Sequence, residues 1–273
     1  MLGRDLQSAL AGRAVTALGR ADLDVSDPSA VARAVAGHDV IINAAAYTKV
    51  DDAESDEDAA FAVNAVGPRN LALAAAANSA KLVQVSTDYV FDGNASAPYR
   101  EDTPLDPISA YGRTKAAGEE FVRGENPTRS YIVRTAWLYG EHGPNFAKTM
   151  LRLAGSHPTV SVVNDQFGQP TWTADLAEQI VALLDADAPA GTYHGTNSGQ
   201  ASWYDFARAV FAAAGLDPER VTPTDSASFV RPAPRPSYSV LAHDAWHDAG
   251  LKPMRDWTDA LADAAQRGVL GAA

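Results

Sequence analysis

The 273-residue sequence contains no cysteine, which excludes disulfides and thiolate chemistry. Cationic residues are scarce. Lys and Arg number 22 against 34 Asp and Glu, giving a formal net charge of −12. A chain of that sign lacks the basic footprint of nucleic-acid binding, so no nucleic-acid partner is expected. An anionic ligand would have to be met by local Arg, Lys or backbone N–H groups. No apolar run approaches the roughly 18 residues of a membrane span, and no basic start followed by a hydrophobic segment reads as a signal peptide. No membrane partner is expected, and a cytoplasmic enzyme is the default reading.

What is present alternates between strand and helix. The run 13–19 (RAVTALG) is β-type, and 27–37 reads as a helix with Pro28 in its first turn and Gly37 at its end. Residues 39–46 (DVIINAAA) form a continuous apolar strand, as expected when both faces are buried. A long Ala-rich helix over 55–79, a strand over 81–86, a helix over 109–124 and a strand over 131–140 follow. The alternation predicts an α/β fold, a doubly wound parallel sheet with right-handed crossovers. Beyond about residue 145 the pattern changes to helices separated by the extended TVSVVNDQFGQPT, with Ser202 as an N-cap and a Pro-rich loop over 231–241. The division expected is a nucleotide-binding domain over 1–145 and a smaller, mainly substrate-binding subdomain over 146–273. Some segments of the latter return to the first domain.

The chemistry concentrates between Ser86 and Lys115. Tyr111 and Lys115 are four apart at the start of a helix and share one face. A free phenol, with a pKa around 10, is a poor acid–base group at neutral pH, and a nearby ammonium favours its ionised form. Alone, the pair reads as well as a Tyr at the core edge beside a solvated Lys. Upstream, VSTDYVFDG lies where a buried strand ends, the edge at which doubly wound sheets place ligands. The hydroxyl of Thr87 can bond a substrate oxygen there, although Thr87 and Asp88 read equally as turn caps. Together, Thr87, Tyr111 and Lys115 suit proton transfer at a carbonyl oxygen, with hydride from a nicotinamide.

Two other patterns carry less. HDAWH sets His243 and His247 at zinc-pair spacing but lacks the Glu and third ligand of a zincin, so both are expected to be surface helix residues. The acidic run DDAESDED (51–58) lacks the glycine and spacing of a calcium loop and is expected to be solvated. No metal site is assigned.

The motifs NAAAYTKVDDAES, VSTDYVFDG, SAYGRTKAAGE, VRTAWLYG, NFAKTMLRLA and NDQFGQPT resemble the extended short-chain dehydrogenase/reductases. Within them the resemblance is to the dTDP-4-dehydrorhamnose reductase family, and it runs in order from residue 2 to the closing helix. It implies a Rossmann-type domain and hydride transfer from NADPH or NADH to C4 of a dTDP-linked 4-keto-6-deoxysugar, giving dTDP-L-rhamnose for nucleotide-sugar and cell-surface polysaccharide synthesis. Carried over, Tyr111 protonates the forming alkoxide, Lys115 lowers the pKa of Tyr111 and holds the nicotinamide ribose, and Thr87 binds the C4 oxygen. Asp88 and Trp137 contact the sugar. Ala45, Ala46, Thr48 and Val85 line the cofactor, and Asp24 and Val25 border its adenine. Gln166, in NDQFGQPT, and Arg231 or Arg235 meet the nucleotide half of the substrate, although both Arg read equally as solvated charges. Some family members hold Mg²⁺ with acidic residues at a dimer contact. Those ligands do not map onto this sequence, so Mg²⁺ and the choice of monomer or homodimer stay open.

Related dehydratases follow the Thr with an Asp–Glu pair for elimination of water. Here Thr87-Asp88 is followed by Tyr89, which favours simple reduction. Two alternatives remain: a non-catalytic regulatory subunit, such as the one accompanying methionine adenosyltransferase, or a sister reductase of another dTDP-4-keto sugar. Family members begin with a buried strand and a G-x-x-G-x-x-G loop, of which Gly3 matches the last glycine, the one that allows tight helix–strand packing. The first strand and the other glycines are missing from this sequence. Two sheet neighbours are therefore expected to have unpaired edges. The chain as written is expected to bind NADPH poorly, since most of the pyrophosphate-binding N–H groups are lost.

Overall fold

A computed structural model describes residues 1–271. It opens on helix α1 (Leu2–Ala9) and helix α2 (Pro28–Val35), whose N-cap Asp27 accepts from the backbone N–H of Ser29 and Ala30. Strand β1 (Val40–Asn43), helices α3 (Glu57–Phe61) and α4 (Gly67–Ala77), and strand β2 (Lys81–Thr87) follow. Next come α5 (Ala110–Glu125), β3 (Ser130–Thr135), β4 (Leu138–Tyr139) and α6 (Phe146–Ala154). Strands β5 (Val160–Val163), β6 (Phe167–Gly168) and β7 (Thr171–Trp172) lead into α7 (Thr173–Asp185) and β8 (Gly191–His194). The chain closes through β9 (Ala201–Ser202), α8 (Trp203–Ala213), β10 (Val221–Thr224), α9 (Asp244–Asp248) and α10 (Trp257–Gln266).

β1, β2, β3 and β8 form one sheet in that spatial order, every pair parallel. Parallel strands need crossovers, and here the helices cover both faces. On one face Val31 and Val35 of α2, Leu71 and Ala75 of α4, and Val122 of α5 pack on Leu82 and Ile132. On the other, Leu2 and Leu6 of α1, Leu176 and Ile180 of α7, and Trp246 of α9 pack on Val83 and Val133. The α/β, doubly wound architecture is the one expected from the alternation. A separate core collects Tyr139, Trp172, Phe206, Phe211, Trp257 and Leu261. Ser202 caps α8 through a capping box with Asp205.

Three expected elements differ. The run 13–19 is no strand: it is exposed throughout, with Val15 and Leu18 among the exposed large apolar residues. A strand needs a partner, and among the described residues neither this segment nor the outer edge of β1 has one. The single helix expected over 55–79 is interrupted by a π-helical turn at Ala62–Val66. Pro68 has no N–H for the carbonyl of Asn64 four residues back, and the wide turn absorbs that clash. The Asn64 carbonyl instead lies against Gly118 of α5, where a Cβ would approach to 2.1 Å. The strand expected over 131–140 stops at Thr135, because Trp137 takes a left-handed φ of +47° that no strand tolerates.

Candidate active site

Because the sheet is parallel, the carboxyl ends of its strands share one edge, and Thr87, Asp88, Tyr111 and Lys115 gather there. Thr87 ends β2, in register with Thr135 at the end of β3. Its hydroxyl donates to Oδ1 of Asp88 (2.9 Å) and accepts from the N–H of Tyr89 (3.3 Å), so Thr87 does cap the 3₁₀ turn 88–90. Across from it, α5 begins. Ser109 caps the helix through the Gly112 N–H, and Oε1 of Glu54 accepts from the Ala110 N–H at 2.8 Å. Tyr111 in the first turn meets Tyr89 edge-on, with ring centroids 5.6 Å apart. One turn later Lys115 is buried, and its Nζ donates to the Val85 carbonyl at 2.6 Å.

The electrostatics differ from the expectation for Tyr111. Burial pushes its phenol up to about 12, against a lowering by the Thr87 side chain. The phenol is therefore protonated at neutral pH and is a proton donor as it stands. Burial holds the Lys115 ammonium down to about 8, with Glu119 opposing. Tyr89 is also pushed up by burial.

Asp88 is fully buried and its Oδ2 has no partner. Burial pushes its carboxyl up to about 6, which the nearby Ser239 and Thr87 hydroxyls only partly offset. The folded protein thus holds more protons than the unfolded chain between about pH 4 and 6. The stabilisation is present below the unfolded value and lost as pH rises through the folded one. Asp88→Asn keeps the acceptor for Thr87 and removes the titration. The variant should gain about 3 kcal/mol on the parent between pH 4 and 8, read by urea unfolding. A difference that stays constant over that range would reject the buried-acid assignment.

Ala45, Ala46 and Thr48, expected to line a cofactor, lie in the loop that follows β1. Asn43 accepts from the Ala45 N–H and donates to Gln84, and Asn64 brackets the backbone of Tyr47, so the loop carrying Ala45, Ala46 and Thr48 is held at both ends. Ala45 and Thr48 are exposed and Ala46 is half-buried. Asp24 closes its own turn on Ser26, and Val25 packs against Gly67 at the start of α4, where a Cβ would meet it at 2.6 Å. Gly3 is exposed with open space around it, so the tight helix–strand packing expected there is not seen among the described residues.

Trp137, expected to contact the sugar, follows β3 by two residues. Its indole stacks on Trp203 at 3.6 Å and lies where a Cβ on Gly168 would come within 2.6 Å. A bulky side chain in the left-handed region is strained, and that packing holds it. Arg235 pairs with Asp51 (2.9 Å) and stands 6.0 Å over the Tyr89 ring, which brings it to the site. Arg231 lies 3.8 Å from the same carboxylate and over Phe229. Gln166 is bonded to Ser226.

Two sequence readings are corrected. The run 51–58 is not simply solvated: Asp51 binds Arg235, Glu54 caps α5 and Glu57 pairs with Arg113. His243 is not a surface residue: it is half-buried and bonded to Thr196 (2.8 Å), and burial holds it down at about 4. Among the described residues no group of three or more His, Asp or Glu is arranged to hold a metal ion.

Sequence reasoning also missed a buried group. Glu119 of α5 and Arg134 of β3, each side chain 1% exposed, form a forked pair with contacts of 2.8 to 3.2 Å. Arg134 further donates to the Glu101 carbonyl and faces Nε2 of His194 (3.3 Å), while Nδ1 of His194 bonds the Ala242 carbonyl. Burial and the adjacent guanidinium hold His194 well below its ordinary range, so it is neutral. The available signal was an Arg in the middle of the apolar run YIVRTAWLYG.

The covered sheet and the Thr–Tyr–Lys group at its edge define the class, a doubly wound α/β protein of the short-chain dehydrogenase/reductase type. Residues 1–269 match the family model described as the RmlD substrate binding domain, and the chain belongs to that family. It is 53% identical over 271 residues to a dTDP-4-dehydrorhamnose reductase of Streptomyces griseus, covering 96% of this chain and 89% of that one. It is 51% identical over 268 residues to a dTDP-4-keto-6-deoxy-D-glucose reductase of Streptomyces niveus, covering 97% and 93%. Among solved structures, a dTDP-4-dehydrorhamnose reductase from Bacillus anthracis in complex with NADP superposes with a TM-score of 0.94 at 40% identity, covering 97% and 95% of the two chains. Among the described residues no helix is long and apolar enough to cross a membrane.

Proposed function

We propose that this protein reduces dTDP-4-dehydrorhamnose to dTDP-L-rhamnose with NADPH or NADH. The observation that carries the reading is the protonated phenol of Tyr111 beside Thr87, with the Lys115 ammonium one turn further along the same helix. The names of the Streptomyces griseus and Bacillus anthracis relatives, and the NADP bound by the latter, agree with it.

The residues present fit a nicotinamide nucleotide. The exposed Ala45 leaves an open face at the end of β1, and the buried Thr135 hydroxyl at the neighbouring edge has no partner. Lys115 holds the ribose, and Asp24 and Val25 border the adenine. The bound cofactor supplies the hydride. The Thr87 hydroxyl then orients the C4 oxygen, and the Tyr111 O–H gives its proton to that oxygen as negative charge develops. The Lys115 ammonium stabilises the phenolate left behind. Trp137 presents an apolar face to the deoxyhexose ring, and Asp88 contacts its hydroxyls. Gln166, Arg231 and Arg235 reach toward the nucleotide half, and Arg235 exchanges its bond to Asp51 for the diphosphate. In this reading the substrate sits between the parts divided at residue 145, the second of which sends α7, β8 and α9 back to the sheet.

A second reading, a sister reductase of another dTDP-4-keto sugar, is favoured by one observation. The Streptomyces niveus relative carries a different substrate name at nearly the same identity. Both readings are tested by following NADPH and NADH oxidation with dTDP-4-dehydrorhamnose and identifying the product. Formation of dTDP-L-rhamnose is the expected result. Oxidation only with another 4-keto sugar would select the sister reductase. A folded protein that binds the nucleotide and oxidises nothing would point to a regulatory subunit.

A further inference from the structure

Tyr111, Lys115, Glu119 and Arg123 recur at intervals of four along α5 and form one stripe down the helix. The stripe runs from the half-buried phenol, through the buried ammonium and carboxylate, to the side chain of Arg123, which is 40% exposed. Glu119 receives two guanidinium groups: Arg134 from β3, and Arg123 at 2.6 Å. Arg134 lies one residue before Thr135 and three before Trp137, so the carboxylate ties the Tyr–Lys helix to the strand that carries the other wall of the site.

We infer that Glu119 is a positioning residue: clamped by Arg134, it fixes α5 beneath the site and supplies the negative charge that keeps Lys115 an ammonium. Its functional meaning rests on the reading proposed above, but the charge coupling does not.

The surroundings of Lys115 leave this role to Glu119. From its own helix the lysine faces Tyr111, whose phenol is neutral, and Glu119. From β2 it meets the Val85 carbonyl. Asp88 and Tyr89, on the turn after β2, act on Tyr111. Arg134 on β3 is turned onto Glu119, and His194 on β8 is neutral. Burial drives the ammonium toward its neutral form, and Glu119 opposes that. Arg123 then acts as a surface handle. It draws off part of the Glu119 charge, so its removal should strengthen the pull of Glu119 on Lys115.

The chain has only five lysines, Lys49, Lys81, Lys115, Lys148 and Lys252. Selective ¹³Cε labelling therefore gives a spectrum simple enough to titrate in the free protein, and the signal lost in Lys115→Arg identifies Lys115. In the parent its midpoint is expected near 8. Glu119→Gln should lower the midpoint by about one pH unit or more, and Arg123→Gln should raise it by about half a pH unit with folding intact. Those opposite shifts separate charge control from a merely structural role, which would change stability and leave the midpoint alone. If Glu119→Gln does not fold, Arg123→Gln decides alone, and an unmoved or lowered midpoint overturns the inference. Shifted midpoints in a protein that reduces no sugar would leave the inference standing and reject the proposed function.

Discussion

Tyr111→Phe is expected to lower turnover by about three orders of magnitude while the fold and the affinity for the nicotinamide nucleotide stay close to the parent's. The change deletes one oxygen. The ring keeps its edge-on contact with Tyr89 and its place in the first turn of α5, so neither packing nor capping is disturbed. What is lost is the proton. Because burial pushes the phenol up to about 12, it remains a donor across the working range, and reduction does not wait on its ionisation. The limit at high pH falls on Lys115 instead, which burial holds at about 8. Above that value the ammonium that stabilises the phenolate is lost and the rate falls. Steady-state rates and nucleotide binding measured on the same preparation test the prediction. A variant keeping more than a tenth of the parent's turnover would remove Tyr111 from the role of donor.

The parts of this site that were legible in the sequence are those fixed by local geometry. Tyr111 and Lys115 are one helical turn apart whatever the tertiary fold, and Thr87 ends a strand whose apolar run is unmistakable. What escaped depends on partners far away in sequence. The segment 13–19 has a strand's composition, but a strand is defined by its neighbour, and its residues are exposed. Trp137 takes its left-handed backbone from stacking on Trp203, 66 positions later in the chain. Pro68, inside the single helix expected over 55–79, was a break signal left unread, and the form of the break, a π turn seated on Gly118, needed α5 to be in place. The downward shift expected for Tyr111 considered the ammonium and not burial, and burial outweighs it here. Arg134 was the clearest signal left unread. A guanidinium within a run buried on both faces must have a carboxylate nearby, and Glu119 lies on the helix that precedes the strand.

That pair should dominate the stability of the domain. Replacing Glu119 by Leu leaves the Arg134 charge buried without its carboxylate and should cost about 3–5 kcal/mol, whereas replacing Arg134 by Met leaves Glu119 with only the partly exposed Arg123 and should cost about 3 kcal/mol. The pair itself need not be worth that much. Desolvating two ions offsets most of their attraction, so the double variant should recover a large part of the loss, with a coupling of about 2 kcal/mol or more. Recovery should be incomplete, because Arg134 also serves the Glu101 carbonyl and His194, and those acceptors stay buried in the double variant. Arg123, being near the surface, can turn to water once Glu119 is gone. Urea unfolding of the four proteins gives the cycle directly. Additive losses would show that the two side chains act separately, whereas strong coupling with incomplete recovery identifies them as one clamp between α5 and β3. A clamp of that kind need not be retained for stability alone, since an apolar pair would fill the same space without the desolvation. Its placement one turn below Lys115 is what an apolar replacement would not supply.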